Sequence, residues 1–326
     1  MYDPTGTYSQ HAGVTITSIF ENTKSKIIVH LLHDDTLTED NKRKFICTAE
    51  KYNQTIELID VTNKFEFNSK IEKMPDTYRV TIGTYYRLLI PDLLPKISKV
   101  LYFDCDIIFD LDVQELWNVD AEDYCIAGVF DIDFIRYGGV GESVRCFLMR
   151  CDRRTYINAG VLIMNLNMIR NRGNLFQNAM NWLNTHAHLM KFSDQDILNC
   201  LFYKSIKIID HRFNNIRPLS EQETRNSIIH ASGHSRAWEI TGIPYQKMYW
   251  KTYLISEWGK DKTKAEIIDL IVSLYAGRKD KWQLWFERIK PALQKIYWSV
   301  LPIKYIFTDI YHKLKYKLIS GKRERS

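Results

Sequence analysis

Asp104, Cys105 and Asp106 place two carboxylates one residue apart, immediately after the short apolar run Val100 to Phe103. A run of β-type residues this short suits a buried strand and not a helix, so the acids fall where a strand stops. Two carboxylates at that spacing point to one side of an extended chain and can grip a hard cation, leaving coordination positions open for diphosphate oxygens. The chemistry on offer is metal-dependent handling of a phosphorylated substrate. A D-x-D alone also reads as a solvated acidic turn, and the surrounding elements decide between the two.

Those elements alternate. A loop over Tyr2–Ser9 leads into a helix from about Gln10 to Asn22, with Val14, Ile16, Ile19 and Phe20 inward. Ile27–Leu32 is an apolar strand, Thr38 opens a helix running to about Tyr52 with Glu39 and Asp40 in its first turn, and Ile56–Val61 is a second strand. This order predicts an α/β sandwich with a mixed, mostly parallel central sheet. Thr84–Pro95 is a short helix that delivers the chain to the strand carrying the two acids, and ligands of such sheets gather outside the carboxyl ends of strands. Tyr124–Phe130 is a further strand. Asp131–Thr155, interrupted by Gly and mixed in charge, reads as a mobile loop or flap beside the site. Tyr156–Asn165 is apolar except for its two Asn, with Gly160 allowing close backbone approach. Helical signal returns from about Met168 to Leu189, and Lys191–Asn199 reads as a helix start with Ser193 as cap and Asp196 three residues on. Ile206–Ile209 is a late strand, and His230 follows the apolar Ile228 and Ile229.

At 326 residues the chain suits one large domain, or one domain with an appendage. Its six Cys (47, 105, 125, 146, 151 and 200) show no C-x-x-C spacing, which argues for reduced thiols in a cytoplasmic setting and against a thiol zinc site. No window of about 20 residues is apolar enough to span a bilayer. From Arg278 to Ser326 thirteen Lys and Arg face four acids, a net +9 that leaves −3 of the chain's +6 on the first 277 residues. That tail interleaves lysines with Trp282, Trp285, Tyr297, Trp298, Tyr305 and Phe307. Composition therefore divides the chain into a domain over 1–277 and a basic, aromatic helical region over 278–326. Such a region suits an anionic membrane surface, or else packs its aromatics on the domain. No nucleic-acid-binding module accompanies the basic residues, so no nucleic acid is expected as partner.

Five ordered motifs carry more information together than apart: Thr84-Tyr-Tyr-Arg87, Tyr102-Phe-Asp-Cys-Asp106, Ile157-Asn-Ala-Gly-Val161, Asp194-Gln-Asp-Ile-Leu198, and His230, Gly233, Arg236 and Trp238 at fixed spacing. Over roughly residues 2 to 250 the chain resembles the family 8 retaining glycosyltransferases, bacterial builders of lipopolysaccharide and other surface glycans and relatives of glycogenin. The resemblance implies a GT-A, Rossmann-like catalytic domain. It implies Asp104, Asp106 and His230 as ligands of Mn²⁺, with Mg²⁺ as the substitute, and a nucleotide subsite of Asp3, Tyr8, Asp104, Cys105, Asp106, Gly233 and Arg236. Arg87, Asn158, Asp194 and Gln195 match the positions that hold the donor sugar. Gln195 and Asp194 are the catalytic candidates, Gln195 nearest the sugar and Asp194 as the carboxylate alternative.

The activity implied by the resemblance is that of a Mn²⁺-dependent, retaining hexosyltransferase. It would use UDP-glucose or UDP-galactose and a glycan, glycolipid or glycoprotein acceptor at the inner face of the cytoplasmic membrane. A nucleotidyltransferase or a non-catalytic glycan-binding scaffold are the alternative classes. Two departures stand out. Relatives usually carry Lys-Pro-Trp where this chain has Arg236-Ala-Trp238. They also begin with a short apolar strand ahead of the Tyr2–Tyr8 loop. Here Met1 opens directly on the loop, so the expectation is either a start further upstream or a sheet that closes differently.

Overall fold

A computed structural model describes residues 1–64, 81–233 and 235–276. The basic tail expected over 278–326 lies outside the described residues.

Gly6, in the left-handed region, opens the helix Thr7–Asn22. All four predicted inward positions are buried, and so are the polar Thr15 and Ser18. Those hydroxyls have a use: Thr15 Oγ1 donates to the carbonyls of Cys105 (3.0 Å) and Ile107 (2.8 Å), and Ser18 Oγ accepts from the amide of Phe109 at 3.2 Å. The helix is thus bonded to the segment that carries the acids. Strand β1 (Ile28–His33) pairs in parallel with β2 (Thr55–Asp60), and between them runs the helix Glu39–Lys51, capped by Thr38 as its sequence predicts.

The 3₁₀ turn Ile82–Leu89 passes into a helical turn at Ile90–Leu93, and the chain then enters β3 (Lys99–Phe103). The main sheet is ordered β3-β6-β5-β7, with β5 Ile126–Phe130, β6 Ile157–Asn165 and β7 Ile206–Ile208. The central β6 is antiparallel to both neighbours, and β5 and β7 are parallel. A smaller sheet joins β4 (Ile107–Phe109) antiparallel to β9 (Ile228–His230), which is parallel to β8 (Asn215–Ile216). The architecture is mixed α/β as read from sequence, but the parallel share is lower than expected. Three of the six described strand pairs are antiparallel, because the chain returns through β6 and β9 against the strands it left. Apolar clusters cover the two faces of the main sheet: Val161 and Ile163 face the first helix's side, while Leu162 and Met164 face the Leu175–His186 side.

Two expectations are corrected. Asp131–Thr155 is no flap: it folds as the helix Ile132–Met149, with the Asp131 carboxylate accepting from Phe134 N at 2.9 Å. Its mixed charge misled because Glu142 and Arg145 point inward, each 0% exposed, where the sequence reads as a loop. Ser193 does precede the helix Asp194–Leu201 but makes no side-chain cap, and Asp196 turns back to accept from the amides of Lys191 (2.7 Å) and Phe192 (2.8 Å). The cap-like spacing hid a buried carboxylate that organises a turn.

Candidate active site

The two acids occupy the corner where β3 leaves one sheet and β4 enters the other. That corner is a turn and not extended chain, and backbone bonds fix it on both sides: Asp104 N donates to Gly160 O (2.9 Å) and Ala231 N to Asp106 O (3.0 Å). Register does the rest, since Ile107 lies opposite His230 in the β4–β9 pair. His230 Nε2 comes within 3.2 Å of Asp106 and 3.9 Å of Asp104. One ligand atom from each of Asp104, Asp106 and His230 lies within 4.8 Å of the others, the one such cluster among the described residues.

The donor set fits a divalent cation of borderline hardness, with two carboxylate oxygens and one imidazole nitrogen. The ring is held for it: His230 Nδ1 bonds Asn214 Oδ1 at 2.9 Å, and the Asn214 amide donates to Asn158 Oδ1 at 2.9 Å, which aims Nε2 at the acids. Burial opposes charge on this imidazole, but Asp106 and Asp104 outweigh it and raise its pKa. Burial likewise opposes charge on Asp106, and the pull of His230 and Arg236 brings it down to about 2.

Gly160 makes room for this arrangement. A Cβ built there would stand 2.1 Å from His230 Cε1, inside the ring's own volume. Gly160→Ala is therefore expected to drive the imidazole off the acids. It should weaken the binding of a divalent cation about 100-fold and cost roughly 1–3 kcal/mol by overpacking. Electron paramagnetic resonance of bound Mn²⁺ and a melting curve measure the two effects, and wild-type metal affinity in a folded variant would refute the steric role. Gly233 answers a different demand, a backbone φ of +87°, which Gly tolerates and most residues do not.

A second layer surrounds Arg87, which is 4% exposed. Its guanidinium donates to Asp104 (2.8 Å) and to Ala159 O (2.6 Å), stacks over Tyr102 at 4.1 Å, and pairs through Nε with Asp194 at 3.0 Å. Burial pushes Asp194 up to about 7 against the pull of Arg87, with Asp104 adding to the rise. Ser193, just before it, sits at φ 51°, ψ −125°, a conformation costly for a residue with a side chain and often kept at functional sites. Gln195 is committed at both ends: Oε1 accepts from Ala159 N (3.0 Å), and Nε2 donates to Asp131 Oδ2 (2.9 Å).

Of the residues expected from the sequence to form a nucleotide subsite, Tyr8, Cys105, Gly233 and Arg236 line one cleft of about 2650 Å³ together with the acids, Arg87, Asn158, Asp194 and Gln195. Arg236 pairs with Asp106 at 2.9 Å. Asp3 stands apart. It is 1% exposed, and its carboxylate accepts from Tyr8 N (2.9 Å), Ser9 N (2.8 Å) and the Ser9 hydroxyl, so the structure places it as a clasp on the first helix turn.

Sequence reasoning passed over three members of the site. Asp131 joins Gln195 and Asn158, and its signal was available as an acid directly after strand β5. His11 stacks on Trp238 at 3.6 Å and meets the Tyr249 hydroxyl at 2.6 Å, and burial lowers its pKa to about 4, so it is a neutral ring that seats the Trp238 end of the motif. Nothing in the sequence marks Asn214. The six cysteines are free thiols, as their spacing suggested.

The profile of glycosyl transferase family 8 matches residues 1–242 of the chain. Among curated proteins, a putative glycosyltransferase of Haemophilus influenzae is 32% identical over 208 residues, a match covering 64% of this chain and 60% of that protein. A lipopolysaccharide 1,2-glucosyltransferase of Escherichia coli is 27% identical over 270 residues, covering 77% and 76% of the two chains. In three dimensions the fold is that of the galactosyltransferase LgtC crystallised with donor and acceptor sugar analogs. That likeness has a TM-score of 0.66 at 22% identity and spans 83% of this chain and 98% of that one. The family profile thus covers most of the described chain, and the five motifs that resemble it converge on one cleft: the chain belongs to glycosyltransferase family 8.

Proposed function

We propose that this glycosyltransferase moves a hexose, glucose or galactose, from a UDP-sugar to a cell-surface glycan acceptor, lipid-linked or protein-linked, with retention of configuration and with Mn²⁺ at its centre. The observation that carries the reading is the Asp104, Asp106 and His230 cluster opening on a cleft that also holds Arg87, Asp194 and Gln195. The relatives' names support the hexose and the surface glycan: one is a lipopolysaccharide glucosyltransferase, and the structural neighbour is a galactosyltransferase.

Asp104, Asp106 and His230 would hold the metal, whose positive charge would favour departure of the anionic UDP. Arg236, already at the edge of that cluster, would bind the same charge once a diphosphate draws it from Asp106. Retention requires a covalent glycosyl intermediate or same-face attack. The double commitment of Gln195 supports same-face attack, because a fixed amide shapes the sugar pocket and is a poor nucleophile. The acceptor oxygen bonds to the anomeric carbon as the bond to UDP breaks, and a diphosphate oxygen takes the acceptor's proton. Asp194 is the carboxylate alternative. UDP release measured across a panel of UDP-sugars, with Mn²⁺ and with EDTA, tests the reading. Metal-dependent release from one hexose donor is expected, and no release from any UDP-sugar would refute it.

Asp194→Asn separates the routes. Same-face transfer leaves a rate within about tenfold of wild type, whereas a covalent route through Asp194 loses at least about 10³-fold. The variant has a pH signature as well. A carboxyl near 7 in the folded chain and near 3.9 unfolded keeps its proton longer when folded, so it costs stability progressively as pH rises from 4 to 7. Relative to wild type, Asp194→Asn should therefore gain on the order of 2 kcal/mol between pH 5 and pH 8, read from denaturant titrations at each pH. A flat difference would refute the raised carboxyl.

The chain would work as a catalytic domain over 1–277, with the basic region 278–326 holding it to anionic lipid at the inner face of the cytoplasmic membrane. No helix among the described residues is long and apolar enough to cross a membrane. The same chain ending at residue 278 is expected to stop pelleting with anionic liposomes, and unchanged pelleting would overturn the membrane role of the tail.

A further inference from the structure

Arg217 is the first residue past strand β8, where its ladder with β9 closes: Ile216 lies opposite His230, and Arg217 N donates to His230 O at 3.0 Å. Its backbone is thereby fastened to the residue whose ring completes the metal cluster. Ligands of α/β sheets gather beyond the carboxyl ends of strands, and Arg217, at such an end, lines the same cleft as Asp104, Asp106 and Arg236.

The backbone there is not what the local sequence prefers. Arg217 has a φ of +52°, in the left-handed region that a residue with a long side chain enters at a cost. Pro218 comes next, and the residue ahead of a proline is driven toward extended backbone. Two local preferences are overridden at one position. Glycine would meet the demand without strain, yet a long cationic side chain stands here.

The guanidinium has a defined place. A Cβ built on Gly233 would lie 3.6 Å from Arg217 Nη1 and 4.0 Å from Cζ, so the group rests against that glycine. Gly233 follows the metal-cluster residue His230 and precedes Arg236, whose Nη1 is 2.9 Å from Asp106. Two guanidinium groups therefore attend one short loop beside the cluster, and Arg217, half-buried, keeps part of its surface in the cleft.

Charge shows why a second cation is useful. Asp104 and Asp106 together offset the charge of a divalent ion, and Arg87 is engaged by Asp104 and Asp194. Arg236 then stands alone against a departing diphosphate, which gains negative charge as its bond to the sugar breaks. A planar guanidinium suits that anion, because its forked donors can take two phosphate oxygens at once.

We propose that Arg217 is a second diphosphate-binding residue, its guanidinium donating to phosphate oxygens across Gly233 while Arg236 turns from Asp106 to the same anion. The assignment rests on the transferase reading and adds a residue to it. The strained backbone at 217 aims the side chain off the strand and over the glycine.

UDP binding, followed by calorimetry in the presence of Mn²⁺, tests this without an acceptor or turnover. Arg217→Gly removes the guanidinium and relaxes the backbone together. It is expected to bind UDP about 10- to 100-fold more weakly, with its affinity for uridine unchanged, and yet to melt about 2–4 °C higher. Arg217→Lys keeps a charge on the strained backbone, so it should show an intermediate loss of UDP affinity at the wild-type melting temperature. A merely structural arginine would not move affinity and stability in opposite directions. Wild-type UDP affinity in Arg217→Gly would overturn the assignment and leave the guanidinium to the acceptor side of the cleft. Equal weakening of UDP and uridine, with a lower melting temperature, would overturn it by making Arg217 a residue that shapes the pocket. A wild-type chain that binds no UDP in Mn²⁺ would overturn the transferase reading, and this assignment with it.

Discussion

Asp106→Ala is expected to lower metal-dependent UDP release at least about 10³-fold and to abolish Mn²⁺ binding at micromolar concentration, while the chain still folds. The side chain does two jobs at once: one oxygen lies 3.2 Å from His230 Nε2, and the other lies 2.9 Å from Arg236 Nη1. With a pKa near 2 it is ionised at every pH at which the protein would be assayed. Removing it takes away a cation ligand and leaves His230 with Asp104 at 3.9 Å as its remaining acid. Loss of one charged group that steadies a departing anion is worth about 10²–10³ in rate, and loss of the metal adds to that. Asp106→Asn keeps the shape and one neutral oxygen, and should fall between the two. Spin resonance of Mn²⁺ and UDP release are read on the same preparations, and unchanged metal affinity in Asp106→Ala would remove the cluster from the mechanism.

The pair Asp104 and Asp106 was legible because sequence records strand ends, an apolar run that stops at an acid, whereas His230 joined it only through the resemblance of the five motifs to a family. Their convergence rests on register, Ile107 opposite His230, which no local pattern states. The helix Thr7–Asn22 shows the same limit. Its apolar stripe predicted burial correctly, yet Thr15 and Ser18, which no apolar pattern marks, hold the corner that bears the acids. Asn214 was invisible because a single amide owes its importance wholly to what the fold brings to it. Strand direction was misjudged for a related reason: alternation of strands and helices implies crossovers, and β6 returns antiparallel between β3 and β5. Charge was the least readable signal. Glu142, Arg145, Lys191 and Asp196 look like a solvated surface in sequence, and they form a buried network.

That network yields the second large effect: Asp196→Ala should cost about 3–5 kcal/mol and lower the melting temperature by roughly 10–15 °C. Asp196 is 0% exposed and accepts four bonds, from Arg145 Nη1 (2.7 Å), the Tyr156 hydroxyl (2.5 Å) and the amides of Lys191 and Phe192. Alanine orphans two backbone donors and a phenol, and it leaves the fully buried Arg145 with Glu142 as its remaining acid, already shared with Lys191. A buried cation short of a counter-charge is the costly outcome, and apolar replacement of both partners is far less so. Arg145→Met combined with Asp196→Leu should therefore lose much less than the two single changes summed. The amides freed in Lys191 and Phe192 lead directly into Ser193 and Asp194, so Asp196→Ala should also slow transfer at temperatures where the chain remains folded, a loss that Asp196→Asn partly restores. Denaturant unfolding of the four chains in the cycle gives the coupling energy. A single-variant loss below about 1 kcal/mol would show that water reaches these charges and that the turn before Asp194 is held by other contacts.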